Sequence, residues 1–326
     1  MKSEILRLLK ESDDYISGQQ MCDRFHVSRT AVWKAIEQLK KEGYEIEAVR
    51  NRGYRLLESP DIMSEAEIRS LMDTEWAGKN IVYFDEIDST NNRAKELGEK
   101  DGAHGTLFVA DRQVAGKGRR GRVWESPKGI SIYMTILLRP DLIPTKAPML
   151  TLVMAQSVAE GIREVTGMET GIKWPNDIVM NKKKVCGILT EMSTEIDYIN
   201  YVVIGVGINV NQKAFDEELK EKATSLIIET RAPVKRSALI AAVMKHFEKN
   251  YALFMENGDL SGLQESYNEM LVNRGKEVRI LEPGNEYNAH AYGINKTGEL
   301  IVRTQKGEEK HIFAGEVSVR GIYGYV

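Results

Sequence analysis

The spacing of apolar residues divides this chain of 326 residues into three parts, and that division constrains the fold more than any single motif does. Residues 1–60 combine helical spacing with one hairpin, and residues 61–270 mix strand-like apolar runs with amphipathic helices. Residues 271–326 show short alternating segments between turns, including one at 283–284, which is typical of a small β-barrel or sandwich. We therefore predict three domains with these limits and an α+β fold class.

The first part has the element order of a winged helix-turn-helix. Ser17 and Ser28 precede the second and third predicted helices as N-caps, and Gln20 completes a capping box with Ser17. Alternating residues on both sides of the turn at 51–53 then predict a β-hairpin. Because this order is typical of DNA-binding modules, residues 1–60 are predicted to bind DNA.

The third helix and the hairpin supply side chains that suit the surface of DNA. Short polar and long basic residues near a helix start fit the major groove, and arginines at a hairpin tip fit phosphates. The predicted DNA-binding residues are Ser28, Arg29, Thr30, Trp33, Lys34, Arg50 and Arg52. The alternative is a protein-interaction domain with a solvated charged face, since residues 1–58 hold 11 basic and 10 acidic residues.

The second part contains a glycine- and arginine-rich segment, GKGRRGR at 116–122. It satisfies the G-x-G-x-x-G pattern, but the residues after it do not favour a helix, so a nicotinamide site is excluded. Glycines allow close backbone approach, and arginines offer forked donors to carboxylates and phosphates. The segment is predicted to bind an anion and to become ordered on binding, against the alternatives of an inert basic loop or a nucleic-acid patch.

Three further segments place polar residues beside predicted elements. Ser89, Thr90 and Asn91 precede a helix, where they serve equally as N-caps or as a site for a polar ligand. The turn KWPND at 173–177 taken alone is typical of a structural turn. Three lysines at 182–184 lead into an apolar strand, and one at the start of that strand can point toward a phosphate.

Composition excludes several classes of protein. With 45 basic and 48 acidic residues the net charge is −3, which argues against a globally basic polyanion binder. Two cysteines, Cys22 and Cys186, cannot form a disulfide framework, and the start of the chain lacks a signal-peptide pattern, which together predict a cytoplasmic protein. The five histidines lack zinc spacing, so a transition metal held by the protein is not expected. No apolar run approaches the roughly 18 residues of a membrane span.

In their order and spacing, these motifs resemble those of biotin–protein ligases. The residues that carry the resemblance are Ser89-Thr90-Asn91, GKGRRGR at 116–122 followed by Trp124, KWPND at 173–177, KVCGIL at 184–189 and GVGINVN at 205–211. With a winged helix in front, the chain is similar over essentially its whole length to the bacterial bifunctional ligases that also repress the biotin operon. The resemblance implies a winged helix, a central mixed-sheet ligase domain and a small SH3-like β-barrel.

The resemblance also implies which residues bind the substrates. The biotin-binding set would be Ser89, Thr90, Asn91, Gln113, Gly116, Lys117, Gly118, Arg119 and Lys184. The ATP-binding set would be Arg119, Arg122, Trp124, Lys173, Lys184 and Asn209. Arg119 and Lys184 would be catalytic, and Asp177 would help to hold the Mg²⁺ that accompanies ATP.

The implied reaction has two steps. The biotin carboxylate attacks the α-phosphate of ATP to give biotinyl-5′-AMP and pyrophosphate, and a lysine of a biotin carboxyl carrier protein then attacks the mixed anhydride. Binding of the adenylate would favour a homodimer that presents two winged helices to a two-fold operator DNA.

Two residues depart from the family pattern, and two other functions remain as alternatives. Lys117 stands where the family usually has arginine, and Cys186 where it often has alanine. A biotin-sensing repressor without chemistry would need no ATP site, so Lys173 and Lys184 count against it. A lipoate-type ligase would share the central fold, but KWPND, GKGRRGR and the additional amino-terminal domain count against it.

Overall fold

The computed structural model describes residues 1–282, 285–313, 318–321 and 325. They form two compact units, Met1–Met72 and Asp73–Val326. The predicted turn at 283–284 lies outside the described residues. In the part of the chain that is described, no helix is both long and apolar enough to cross a membrane.

The first unit contains four helices and a hairpin. Their bounds are α1 Lys2–Lys10, α2 Gly18–Phe25, α3 Arg29–Lys41, β1 Glu45–Val49, β2 Gly53–Glu58 and α4 Glu65–Leu71. Ser17 and Gln20 form the predicted capping box on α2, and the Ser28 side chain caps α3. The strands β1 and β2 pair antiparallel. The predicted helix-turn-helix followed by a hairpin is confirmed.

Helix α4 was not predicted, and polar contacts hold it within the first unit. Glu67 is 1% exposed, and its carboxylate pairs with Lys10 Nζ at 2.5 Å and accepts a hydrogen bond from the Tyr44 hydroxyl. The Arg7 guanidinium donates to three backbone carbonyls within residues 69–72. Because a buried carboxylate is costly without partners, Lys10 and Tyr44 are what permit Glu67 to face the interior.

A seven-stranded mixed sheet forms the centre of the second unit. Its strands are β3 Ile81–Phe84, β4 Thr106–Ala110, β5 Ser131–Leu138, β6 Gly171–Lys173, β7 Asp177–Met180, β8 Lys183–Thr194 and β9 Ile199–Asn209, in the order β3-β4-β5-β9-β8-β7-β6. Only β3 and β4 pair in parallel within this sheet as described; the other neighbours are antiparallel. The α+β class is therefore confirmed.

Among the described residues of this unit, five α-helices accompany the sheet. They are α5 Thr90–Gly98, α6 Met149–Thr166, α7 Leu226–Thr230, α8 Arg236–Asn257 and α9 Gln264–Met270. Helix α6 ends at Thr166, and the following Gly167 has a φ of 68°, in the left-handed region that favours glycine.

A second, antiparallel sheet of five strands follows. Its strands are β10 Lys276–Glu282, β11 Asn285–Ile294, β12 Leu300–Thr304, β13 Glu309–Ile312 and β14 Ser318–Gly321, in the order β13-β12-β11-β10-β14. The short alternating segments predicted in residues 271–326 correspond to these strands. Residues 271–273 connect this sheet to the first, since Leu271 forms a β-bridge with Ile172 of β6.

Candidate functional site

A pocket that opens to solvent lies over the central strands of the seven-stranded sheet. Its floor comes from β5, β8 and β9, and its rim from the start of α5 and the segment between β4 and β5. The lining residues are Ser89, Thr90, Asn91, Gln113, Lys117, Gly118, Arg119, Trp124, Tyr133, Met134, Asn176, Lys184 and residues 187–189 and 205–207. One cavity therefore brings together most of the predicted biotin-binding set.

Hydrogen bonds fix the start of α5 against the rim and the floor. The Gln113 Oε1 atom accepts from the Thr90 N–H at 2.8 Å and from the Thr90 hydroxyl at 3.1 Å. The Thr135 hydroxyl of β5 lies 2.8 Å from Thr90 Oγ1 and 2.6 Å from Asn91 Oδ1. In the described structure Ser89 makes no side-chain capping bond to α5, which weakens the interpretation of this segment as ordinary N-caps.

The glycine- and arginine-rich segment folds back on itself at the mouth of the pocket. The Gly118 N–H donates to the Arg122 carbonyl at 2.7 Å, and the Trp124 N–H donates to the Gly116 carbonyl at 2.9 Å. Arg120, with a φ of 57°, makes the turn between these two arms. No α-helix lies between β4 and β5 in the described chain, which agrees with the exclusion of a dinucleotide fingerprint.

Paired glycines leave space on the floor for the Trp124 ring. Gly187 of β8 lies opposite Gly207 of β9. A Cβ atom on Gly207 would lie 2.6 Å from the Trp124 indole, and one on Gly187 would lie 2.9 Å from both the indole and Lys184 Nζ. Lys184 Nζ lies 5.2 Å from the centroid of the Trp124 ring. An aromatic face and a cation therefore share one end of the pocket.

Arg119 brings a partly buried cation to the pocket. Its Nη1 atom donates to Asn176 Oδ1 at 2.7 Å. Burial lowers the pKa of the Arg119 guanidinium; the charge of Asp177 opposes this shift, whereas those of Arg120 and Arg122 add to it. Burial and neighbouring like charges both favour an anionic partner for this group.

Asp177, at the end of the KWPND turn, is held at both carboxylate oxygens. Lys184 Nζ pairs with its Oδ1 atom at 2.5 Å, and the Tyr325 hydroxyl donates to Oδ2. Burial would raise the pKa of Asp177, but the charges of Lys184 and Lys173 and the two hydrogen bonds outweigh burial and hold the pKa below its ordinary value. In the described structure the Oδ1 atom has no hydrogen-bond partner apart from this ion pair with Lys184, and the role of Asp177 as a Mg²⁺ ligand stays a prediction. Among the residues described, no group of three His, Cys, Asp or Glu side chains is arranged to hold a metal ion.

Four of the residues predicted to bind biotin or ATP do not line the pocket. Arg122 is exposed at the outer side of its segment. Lys173 is 6% exposed and places its Nζ 3.5 Å from the centroid of the Tyr325 ring. Asn209 is buried and donates to the Thr224 carbonyl at 3.0 Å, and Gly116 packs against the Trp124 backbone.

Only one of the three consecutive lysines lines the pocket. Lys184 does so, whereas Lys183 Nζ donates to the Lys220 carbonyl at 2.7 Å and Lys182 is exposed. The choice of Lys184 from its position in the motif thus agrees with its placement.

Sequence reasoning missed part of the pocket wall. Tyr133 and Met134 belong to an eight-residue apolar strand in which every residue is buried, so no alternation distinguishes the residues that face a ligand. Asn176 was recognised only as part of the KWPND turn, and Tyr325 lies 148 residues from Asp177 in sequence. Contacts over such separations carry no local signal.

In the first unit, the predicted DNA-binding residues include an exposed aromatic side chain. Trp33 is 54% exposed on α3, and Thr30 and Lys34 are exposed near it in sequence. Arg52 of the hairpin turn lies 4.1 Å from the centroid of the Tyr15 ring and 3.3 Å from Asp14. The helix and the hairpin turn thus offer exposed basic and aromatic groups.

Three family models match the chain, and similar proteins are known along its whole length. The models are an HTH domain over residues 2–55, the biotin/lipoate A/B protein ligase family over 83–209 and a biotin protein ligase C terminal domain over 275–320. The chain is 43% identical over 324 residues to the bifunctional ligase/repressor BirA of Bacillus spizizenii, covering 98% of both chains. It is 28% identical to the protein of the same name in Escherichia coli, over 96% of this chain and 95% of that one.

Solved structures show the same likeness over most of the chain. A biotin protein ligase from Aquifex aeolicus in complex with biotin and ATP has a TM-score of 0.66 and 33% sequence identity. That match covers 74% of this chain and 99% of the other.

Proposed function

The chain belongs to the family of bifunctional ligase/repressors, and from this premise we propose that it is an ATP-dependent biotin–protein ligase that also represses biotin genes. The observation that carries the ligase proposal is the single pocket where Arg119 and Lys184 lie beside Trp124 and the polar start of α5. Biotin brings a carboxylate and ATP a triphosphate, so a site for both requires positive charge close to an apolar surface.

The first step joins the biotin carboxylate to the α-phosphate of ATP and releases pyrophosphate. Such a transfer depends mainly on positioning and on stabilising charge, so it needs no covalent nucleophile. Arg119 and Lys184 supply the cations. Cys186 lies fully buried beside the site, and burial raises the pKa of its thiol, which makes it a packing residue.

The substrates divide between two ends of the pocket. Ser89, Thr90, Asn91, Gln113 and Arg119 surround the ureido ring of biotin, and the backbone of residues 116–118 with Lys117 receives its carboxylate, close to Lys184. ATP lies beside Trp124, Arg119 and Lys184, which line the pocket. Mg²⁺ arrives with ATP as part of the substrate, held mainly by phosphates and water.

In the second step, a lysine of a biotin carboxyl carrier protein attacks biotinyl-5′-AMP. The adenylate hydrolyses in water, so closure of the segment at 116–122 over it protects the intermediate. We assign the functions to three parts of the chain, with DNA binding in 1–60, catalysis in 61–270 and an SH3-like β-barrel in 271–326. A cytoplasmic location follows from the need for ATP, carrier protein and DNA together.

Repression works by linkage between the two functions. Adenylate binding orders the glycine- and arginine-rich segment and favours a homodimer, and the dimer presents two winged helices to the operator. The exposed groups of α3 and the hairpin, including Arg29, Trp33, Lys34, Arg50 and Arg52, then contact DNA.

The test is biotin-dependent exchange of labelled pyrophosphate into ATP, with Lys184→Ala and its neighbour Lys183→Ala as a matched pair. We expect exchange in the wild type, a loss of roughly a hundredfold or more in Lys184→Ala and a change below about twofold in Lys183→Ala. The proposal fails if wild-type protein binds biotin but shows no exchange, an outcome that favours a non-catalytic biotin-sensing repressor. Activity with lipoate that exceeds activity with biotin would instead identify a lipoate-type ligase.

A further inference from the structure

The KWPND turn connects the pocket to the carboxyl-terminal sheet. On one side, Asn176 and Asp177 contact the pocket cations Arg119 and Lys184. On the other side, Trp174 is 1% exposed and forms hydrogen bonds with residues that follow α9 in the sequence. Its indole N–H donates to the Gly298 carbonyl at 3.1 Å, and its backbone N–H donates to Asn273 Oδ1 at 2.9 Å. The turn thus contacts the pocket cations through Asn176 and Asp177, and the later part of the chain through Trp174.

Tyr325 adds a contact from the end of the chain to the same turn. It lies four residues beyond the end of β14, at Gly321. Its hydroxyl donates to Asp177 Oδ2, and its ring faces Lys173 Nζ at 3.5 Å from the ring centroid. A neutral hydroxyl and an aromatic face from the carboxyl-terminal part therefore lie between a buried carboxylate and a buried lysine of the turn.

The two carboxylate oxygens of Asp177 have different partners, and these partners hold the carboxylate in one orientation. With Oδ2 bonded to Tyr325, the group cannot rotate freely, and Oδ1 remains directed at Lys184 Nζ. The lack of a side chain at Gly187 leaves room for Lys184 Nζ, since a Cβ atom there would lie 2.9 Å from it. The position of this ammonium group thus depends on Asp177, and that of Asp177 depends on Tyr325.

The charge of Lys173 lies close to Asp177 and to the Tyr325 ring. The residue is 6% exposed, does not line the pocket and faces the Tyr325 ring. A buried ammonium group against an aromatic face is held by electrostatic attraction to the ring. This placement suits a group that supports the turn better than one that reaches a phosphate.

We propose that Tyr325 is a positioning residue for adenylate formation, acting through Asp177 on Lys184, and that Lys173 supports Tyr325. Tyr325 thereby completes the site of the first step. This inference rests on the proposed ligase function, because it assigns to Lys184 the task of placing a phosphate. It revises the assignment of Lys173 from contact with ATP to support of the turn.

The experiment separates the two half-reactions in the full-length protein. Tyr325→Phe removes the hydroxyl and keeps the ring, and Tyr325→Leu removes both. Tyr292→Phe is the matched control, since Tyr292 lies in β11 of the same sheet and is 44% exposed. Pyrophosphate exchange reports the first step, and transfer from supplied biotinyl-5′-AMP to the carrier protein reports the second.

We expect Tyr325→Phe to lower kcat for exchange roughly tenfold, because it removes one hydrogen bond to a charged group. Its KM for biotin and its rate of transfer from supplied adenylate should stay within about twofold of wild type, as should all rates of Tyr292→Phe. Tyr325→Leu should lose roughly tenfold more than Tyr325→Phe, because it also removes the contact with Lys173.

Three outcomes contradict the inference in different ways. Wild-type exchange retained in Tyr325→Phe overturns the role of the hydroxyl. Equal losses of exchange and transfer overturn the assignment to the first step, since a general structural defect affects both. Equal activity of Tyr325→Phe and Tyr325→Leu overturns the role of Lys173. Failure of the ligase function itself is distinct, because wild-type protein then shows no exchange at all.

Discussion

At the scale of single residues, the site depends on positions where a side chain is missing. Gly187 and Gly207 face each other on paired strands, and Trp124 occupies the space that two Cβ atoms would fill. The indole contributes an apolar face only because the sheet beneath it is bare backbone. Gly207 belongs to GVGINVN at 205–211, one of the motifs that carry the family resemblance, but the sequence did not identify Trp124 as its partner.

Substitution of Gly207 by alanine tests this arrangement. The added methyl group would lie 2.6 Å from the Trp124 indole, so the ring must shift, at a cost of about 1–3 kcal/mol. We expect KM for ATP in pyrophosphate exchange to rise roughly tenfold, with a smaller change in the dissociation constant for biotin. Gly18→Ala is the control, because its Cβ atom would meet its nearest neighbour, Tyr54, at an ordinary 3.8 Å. An unchanged KM for ATP in Gly207→Ala would contradict the role given to Trp124.

At the scale of elements, a polar cluster joins α6 and α8. His246 of α8 lies between two glutamates of α6, with Nδ1 3.3 Å from Glu160 and Nε2 2.7 Å from Glu164. Hydrogen bonding to Glu160 raises the pKa of His246, against the effect of burial, and Glu164 adds to the rise. Burial would raise the pKa of each glutamate, but the hydrogen bonds and the nearby positive charges outweigh burial and lower both pKa values.

These shifts predict how the cluster stabilises the fold as pH changes. The histidine contribution is complete below its ordinary pKa of 6.5 and is lost as pH rises through the higher folded value. The glutamate contribution is present above the ordinary pKa of 4.5 and is lost as pH falls through the lower folded value. We expect the Tm of wild type to exceed that of His246→Gln most at about pH 5.5 and least above about pH 8. His290→Gln, at an exposed contact with Glu277, is the control and should show a smaller difference. A Tm gap that widens toward alkaline pH would refute the assignment.

Helices and strands with a strong local sequence pattern were predicted, and those with a weak pattern were missed. The helices α2 and α3 were found because serine caps precede regular apolar spacing, and β8 and β9 because they are long. The strands β6 and β7 have three and four residues, too few for a pattern to stand out. Helix α4 was missed for a physical reason, since its buried face includes Glu67 and Ser70, which a rule based on hydrophobicity assigns to the surface.

At the scale of the whole molecule, one chain combines two units with separable tasks. The candidate pocket lies entirely within the second unit, and the predicted DNA-binding residues lie entirely within the first. The sequence motifs identified the pocket because its loops carry distinctive glycines and arginines. They gave no indication of Tyr325, because its contact with Asp177 exists only in the folded chain, across 148 residues of sequence.

Because DNA binding and catalysis are assigned to different units, we expect a variant that impairs one of them to leave the other unchanged. Lys34→Ala should weaken operator binding in the presence of biotinyl-5′-AMP and lower the slope of log affinity against log salt by about 1. Pyrophosphate exchange should be unchanged, because Lys34 lies outside the unit that holds the pocket. Lys41→Ala, an exposed lysine at the other end of α3, is the matched control. A loss of exchange in Lys34→Ala, or an equal loss of operator binding in both variants, would contradict this assignment.

The burial of both cysteines makes it simpler to follow operator binding and assembly with a fluorescent label. Cys22 and Cys186 are the only thiols in the sequence, and both lie in the interior. A cysteine introduced at an exposed position, such as Ile196 in the turn between β8 and β9, should therefore react selectively with a maleimide dye. Fluorescence labelling therefore requires no removal of a native cysteine, and assembly on an operator can be followed in real time.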